Sequence, residues 1–247
     1  MTKDLEHSIV WTDDKVARLW NFYSRSRVVN DLYFSKVYGR FVLKRAALRG
    51  SKALRLLDFG CGPGYMWDHI RGTGLNWRYT GLDFSADSVA ALQARCAGES
   101  GFEGVVHASC LPSSLPPASF DAILLLEVVE HLDDDRLHET IRETRRLLKP
   151  GGRLIVTTPH AEDLQQEMQF CPECGAVFHK WQHVRSWTSE GLQAVMTEGG
   201  LAHERTWIGH WSDHWWYGWL FNRAARSLLH RRTDPHMMAV FAKPQVG

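Results

Sequence analysis

The stretch Leu54-Arg55-Leu56-Leu57-Asp58-Phe59-Gly60-Cys61-Gly62-Pro63-Gly64 decides the fold. Leu54 to Phe59 reads as a buried strand. The glycines after it form a turn in which the backbone can approach a ligand that any side chain would exclude. Working outward, Trp77 to Leu82 is a second strand ended by Asp83, and Ser85 is the N-cap of a helix through Ala97, closed by Gly98. Val105 to Ala108 is a short strand and Phe120 to Leu126 a strongly apolar one. The next helix runs from about Asp133 to Leu148, with Asp133, Asp134 and Asp135 at its positive end. Pro150-Gly151-Gly152 turns the chain into the strand Arg153 to Thr158. This alternation predicts an α/β, doubly wound sheet, mostly parallel.

Upstream, Val16, Leu19, Trp20 and Tyr23 form one stripe and Phe34, Val37, Phe41 and Leu48 another, which predicts two helices between Asp13 and Leu48. Residues 1–50 then form an N-terminal helical cap, and 51–247 the sheet domain. Downstream, the rhythm breaks after Pro159 with a Cys/His-bearing insertion at 160–187. A helix at Thr188 to Glu198 follows, then strands His203 to Ile208 and Met237 to Ala242, the last antiparallel. Between these two strands lies a Trp-rich segment, 207–232, holding five of the 11 tryptophans.

The 247 residues suffice for one large α/β domain. With 44% hydrophobic and 23% charged residues, the composition is that of an ordered globular chain. A net charge of +1 gives no sign of a polyanionic partner. No apolar run is long enough to span a bilayer. The five cysteines, an odd number, do not make a disulfide framework, so a cytoplasmic, reducing location is expected.

The glycine loop alone would serve NAD, but a dinucleotide site wants G-x-G-x-x-G. Here the spacing is G-x-G-x-G, led by Asp58. This pattern resembles motif I of the Rossmann-like methyltransferases that use S-adenosylmethionine (SAM). Gly81-Leu82-Asp83-Phe84-Ser85, Ser119-Phe120-Asp121, Glu127-Val128-Val129-Glu130-His131 and Leu148-Lys149-Pro150-Gly151-Gly152 resemble the later motifs in order. The resemblance covers Leu54 to about Pro159. It implies a cofactor site of Asp58, Gly60, Gly62, Gly64, Asp83, Phe84, Ala108, Ser109 and Glu127, with Asp58 and Gly60 at the methionine end and Asp83 at the ribose. Where the family often has an acid near the adenine, this chain has His107, which leaves the adenine to backbone amides from Ala108 to Cys110.

Glu127, Glu130 and His131 follow the apolar strand; were the stretch helical, all three would share a face. Two carboxylates and an imidazole can hold a divalent cation such as Mg²⁺. The segment resembles the metal-assisted O-methyltransferases of quinone biosynthesis and of small-RNA 3′ ends. The latter implies a fourth ligand, matched here by His183 ahead of Trp187-Thr188. The other reading is that Glu130 and His131 brace the loop while Glu127 lines the SAM pocket; His131 is then the candidate general base, with an ordinary pKa near neutrality.

Cys171, Cys174, His179 and His183 give C-x2-C-x4-H-x3-H, a donor set for a structural zinc, against two unlinked thiols in a loop. Nine basic residues lie between Arg25 and Arg55. The aromatic-then-basic run 211–232 suits peripheral contact with the inner face of a membrane or an aromatic lid over the acceptor. The expectation is methylation of a hydroxyl on a small-molecule, glycan or lipid-linked acceptor. Small-RNA 3′-terminal 2′-O-methylation and a non-catalytic SAM-binding scaffold are the alternatives.

Overall fold

A computed structural model describes residues 6–48, 53–71, 73, 75–210 and 235–245. The Trp-rich run 211–232, and with it the expected membrane contact, lies outside the described residues. Among these, no helix is long and apolar enough to cross a membrane.

The chain opens on a short strand β1 (His7–Ser8), then α1 (Asp13–Arg25), α2 (Arg27–Asp31) and α3 (Phe34–Arg45). The expected pair of helices is thus three. Ser26 leaves the helical region and caps the next helix through its hydroxyl, which accepts the amide of Val29. The sheet begins with β2 (Ala53–Phe59), followed by α4 (Tyr65–Arg71), β3 (Asn76–Asp83), α5 (Ala86–Cys96), β4 (Phe102–His107) and β5 (Phe120–Leu126). Ser85 caps α5 as its side chain predicts. A single turn, Val129–His131, leads to α6 (Asp134–Leu147), capped by Asp133, and to β6 (Leu148–Pro159). β6 starts earlier than the sequence implies. Phe120 pairs with Leu148 and Ala122 with Arg153, so Pro150-Gly151-Gly152 is absorbed as a bulge, with Gly151 at φ +75.

β7 (Met168–Phe170) and β8 (Ala176–His179) form a hairpin in the insertion, on which β1 lies parallel as a third strand. A His160–Trp187 bridge ties the two ends of the insertion together. The chain returns to the core through α7 (Ser189–Glu198), β9 (Ala202–Gly209) and β10 (His236–Ala242).

The seven strands run β4-β3-β2-β5-β6-β10-β9, with β10 antiparallel to both neighbours and the other pairs parallel. Chain order reverses direction between β2 and β5, so a crevice opens at their carboxyl ends, where ligands bind in open α/β sheets. Fully buried apolar side chains on both faces, among them Leu56 and Leu124 on one and Leu57 and Leu125 on the other, hold the layers together.

α3 packs on α4 at Gly39. A Cβ there would overlap the ring of His69, with Met66 Sδ 2.9 Å away. His69 is held in place by the Ser35 and Lys36 carbonyls, each 3.0 Å from Nε2. In an open helix, Gly→Ala gains about 1 kcal/mol. Here Gly39→Ala destabilises instead, by about 1–3 kcal/mol, readable as a lower midpoint of urea unfolding.

Candidate SAM site and polar cluster

The loop after β2 turns at Gly60 (φ +78), Gly62 (φ +50) and Gly64 (φ +76), a backbone shape that disfavours side chains. A Cβ on Gly60 would lie 2.7 Å from Val128, and one on Gly62 would overlap the hydroxyl of Tyr33. At the end of β3, Asp83 braces this loop: Oδ2 accepts the Gly62 amide at 2.7 Å and Oδ1 the Ser85 amide at 2.8 Å. Each oxygen keeps acceptor capacity for a ribose hydroxyl. Burial raises the Asp83 pKa, and these amides and His107 pull it back.

Above the loop lies a cavity of about 460 Å³, within the range of small-ligand and cofactor sites. Gly60, Gly62, Asp83, Phe84, Ala108 and Ser109 lie on its wall, as does Glu127. Asp58 and Gly64, expected in the same set, stand behind that wall. Gly64 packs against Leu92, and Asp58 Oδ2 accepts the Tyr79 hydroxyl at 2.8 Å. Burial pushes the Asp58 carboxyl up to about 7, against the Tyr79 hydroxyl. The amide of Ala108 is taken by the Asp83 carbonyl at 3.0 Å, so an adenine has to be met by amides beyond it. His107 turns to the Phe84 carbonyl, 2.9 Å from Nε2. A ligand with a charged methionine end, a ribose and a flat base fits the glycine cradle, the carboxylate and the apolar wall.

Sequence patterns missed the opposite wall. It comes from the N-terminal helices, through Trp11, Val16, Trp20 and Tyr33. Trp20 Nε1 donates to Gln182 Oε1 at 3.2 Å, Tyr23 Oη donates to the Lys180 carbonyl at 2.5 Å, and Asp13 pairs with Arg136. The amphipathic stripe of α1 was legible; that it faces a cavity instead of the core was not.

His131 lies on the cavity wall and joins a buried polar cluster behind it. Glu130, His131 and His183 each offer a ligand atom within 4.8 Å of the others, and Glu162, His179 and His183 form a second such trio. Glu127 is not on a common helical face with them: its φ is +53, outside the Val129–His131 turn, and its Oε2 pairs with His236 Nε2 at 3.2 Å. It remains close enough to raise the pKa of Glu130. Glu130 Oε2 accepts the Thr158 hydroxyl at 3.0 Å, whereas Oε1 is 3.9 Å from His131 Nε2, too far for a bracing hydrogen bond. Among the described residues, Oε1 of Glu127 and Oε1 of Glu130 are buried without a hydrogen-bond partner.

Burial keeps this cluster away from its ordinary charge states. It raises Glu130 well above the carboxylate range and Glu162 to about 7, and lowers His131 to about 3 and His183 to about 4. The expectation that His131 titrates near neutrality therefore fails. A neutral imidazole this hard to protonate is a poor general base at pH 7 and a good lone-pair donor.

The expected zinc set does not come together. Cys171 and Cys174 sit at the tip of the β7–β8 hairpin, where the Cys171 amide donates to the Ala176 carbonyl. His179 is at its base, opposite Met168. Three steps of strand carry the chain from Ala176 to His179, about 10 Å at 3.3 Å per step. Amides of Cys174 and Glu173 lower the Cys171 thiol pKa, a local effect of the turn. The N-terminal basic residues are partly committed as well: Arg25 pairs with Asp87, Lys36 with Asp31 and Arg55 with Glu103.

The Asp58 carboxyl stays neutral in the fold up to about pH 7, while an unfolded chain ionises it near pH 4. Its burial costs nothing below about pH 4 and weakens folding as pH rises towards 7. Asp58→Asn therefore gains stability over the wild type across this interval, by on the order of a few kcal/mol. Melting curves of both proteins without SAM, from pH 4 to 8, check the divergence.

Residues 33–205 match a family described as a methyltransferase domain. A ubiquinone biosynthesis O-methyltransferase of Pseudomonas aeruginosa (strain UCBPP-PA14) is 30% identical over 143 residues, 57% of this chain and 57% of that protein. The protein of the same name from Bradyrhizobium sp. (strain ORS 278) is 32% identical over 120 residues, 48% of this chain and 45% of that one. The chain thus spans about half the length of these curated relatives. A 1,6-didemethyltoxoflavin-N1-methyltransferase of Burkholderia thailandensis, with bound 1,6-didemethyltoxoflavin and S-adenosylhomocysteine, shares the fold at a TM-score of 0.63 and 16% identity, over 97% of this chain and 93% of that one. Through its sheet order, glycine cradle and family match, the chain belongs to the methyltransferase domain family of Rossmann-like, SAM-dependent methyltransferases.

Proposed function

We propose that this protein transfers the SAM methyl group to a hydroxyl oxygen of a small-molecule, glycan or lipid-linked acceptor, with a divalent cation assisting. One observation carries the reading: His131 reaches both the cavity above the glycine cradle and the buried Glu130–His131–His183 cluster. The names of the ubiquinone biosynthesis O-methyltransferases support oxygen as the acceptor atom.

Gly60, Gly62, Asp83 and Phe84 would hold and orient SAM, with Asp83 on its ribose. Trp11 and Trp20 close the acceptor side, exclude water and offer flat apolar faces to a ring. A hydroxyl must lose its proton as it attacks the methyl group, and His131 is too weak a base to take it efficiently at pH 7. A divalent cation held by Glu130, His131 and His183, with Glu127 beside them, would lower the pKa of that hydroxyl and orient its oxygen.

The test is conversion of SAM to S-adenosylhomocysteine over a panel of phenolic, sugar and lipid-linked hydroxyl acceptors, with and without EDTA. The expected result is turnover on an oxygen acceptor that EDTA abolishes and a divalent cation restores. Glu130→Ala should lower kcat by on the order of 10²-fold or more while SAM still binds by calorimetry. Chelator-resistant turnover removes the cation from the reaction. A methyl group found on nitrogen or carbon by mass spectrometry removes the oxygen acceptor.

A further inference from the structure

Both imidazoles of the Glu130–His131–His183 cluster already have one ring nitrogen committed. His131 Nδ1 faces the Gln182 carbonyl at 3.4 Å. A carbonyl only accepts, so the proton is on Nδ1 and the lone pair on Nε2, which points to Glu130 Oε1 at 3.9 Å. His183 Nδ1 lies 2.6 Å from Glu162 Oε2. The second oxygen of Glu162 is 3.7 Å from His179 Nε2. His179 Nδ1 accepts the backbone amide of His183 at 3.1 Å, so the proton of a neutral His179 is on Nε2, towards Glu162. The Glu162 carboxylate therefore sits between two N–H groups, and the lone pair of His183 is left on Nε2.

A second feature points to a cation. Glu130 is 1% exposed, and its Oε1 has no hydrogen-bond partner among the described residues. It lies 3.9 Å from an imidazole lone pair, a gap too wide for a shared proton and open to a metal ion bound by both atoms. The Glu162–His179–His183 trio is the weaker cation position. Glu162 and His183 already share a short hydrogen bond, and an N–H occupies the side of His179 that faces them.

We propose that Glu162 is a positioning residue of the metal site: with the Gln182 carbonyl, it presents both imidazoles as Nε2 ligands. Hence the insertion sets the affinity of the site and its preference for a borderline divalent cation (Co²⁺ or Zn²⁺) over Mg²⁺. The proposal rests on the cation reading given under the proposed function. Metal-bound histidines commonly donate their other N–H to a carboxylate or carbonyl, and losing that partner costs 10–100-fold in affinity. Two nitrogen donors suit borderline ions, whereas Mg²⁺ favours oxygen ligands and retained waters.

The experiment is Co²⁺ titration of the full chain, read by visible absorption, with competition by Mg²⁺ and Zn²⁺. Glu162→Ala and the isosteric Glu162→Gln are compared with wild type, and melting of the metal-free proteins serves as the folding control. The expected result is a wild-type Co²⁺ spectrum that excess Zn²⁺ removes and equimolar Mg²⁺ does not. In Glu162→Gln the spectrum changes and the Kd rises about 10–100-fold, with metal-free melting unchanged. Equal affinity and spectra in wild type and Glu162→Gln overturn the positioning role while leaving the cation reading intact. Absence of Co²⁺ binding to the wild type overturns both. Equal competition by Mg²⁺ and Co²⁺ overturns the stated preference.

Discussion

At the end of β3, a carboxylate with 5% exposure accepts two backbone amides, from Gly62 and Ser85, and the cofactor side of the molecule is organised around that contact. Charge-assisted hydrogen bonds of this kind are worth roughly 1.5–3 kcal/mol each. Without them a buried charge would be costly. Through Gly62 the Asp83 carboxylate fixes the left-handed glycine loop; through Ser85 it fixes the start of α5. The Ser85 hydroxyl accepts the Ser88 amide and donates to Asn21 Oδ1 on α1 at 2.8 Å. Two neighbouring side chains, Asp83 and Ser85, thus link the glycine loop, the helix beside it and the helix that covers it.

That covering helix is held differently from the rest. α1 has no fully buried residue. It is tied by polar contacts at separate points: Arg25 to Asp87 on α5, Asp13 to Arg136 on α6, and Trp20 and Tyr23 to the insertion. The two ion pairs are exposed, whereas the Trp20 and Tyr23 links are half-buried and backed by ring contacts with His131 and Trp181. α1 forms one wall of the cavity through Val16 and Trp20 without burying a residue fully in the core.

The core was legible because local signals agreed with one another. Phe120 to Leu126 is a strand to the residue, and Ser85, Asp133 and Thr188 cap the helices their side chains suit. Glycine spacing and the acid at Asp83 pointed to a loop that the structure places on the wall of the cavity. Legibility ended where a role depends on distant chain segments meeting. Asp58 looked like a ligand contact, yet its carboxyl points to Tyr79 on the neighbouring strand. Cys171 and Cys174 matched a zinc spacing, but strand rise carries His179 away from them. Glu127 broke the helical pattern because its backbone turns left-handed where β5 ends. Glu162, Gln182 and His236 follow no periodic pattern: the insertion brings Glu162 to His183 and Gln182 to His131, and the start of β10 brings His236 to Glu127.

The polar cluster shows the same division from the energetic side. Burial raises the pKa of Glu130 and lowers those of His131 and His183, which disfavours an ion pair between them. Such an arrangement is costly unless something outside the chain compensates it, and strained or poorly satisfied groups gather where function needs them. Here they gather at the meeting of three pieces: the turn after β5, the insertion, and the helix that bears Trp20. The sheet supplies the methyl donor's seat, common to the fold. The insertion and α1 supply the wall of the cavity that stands opposite the glycine loop.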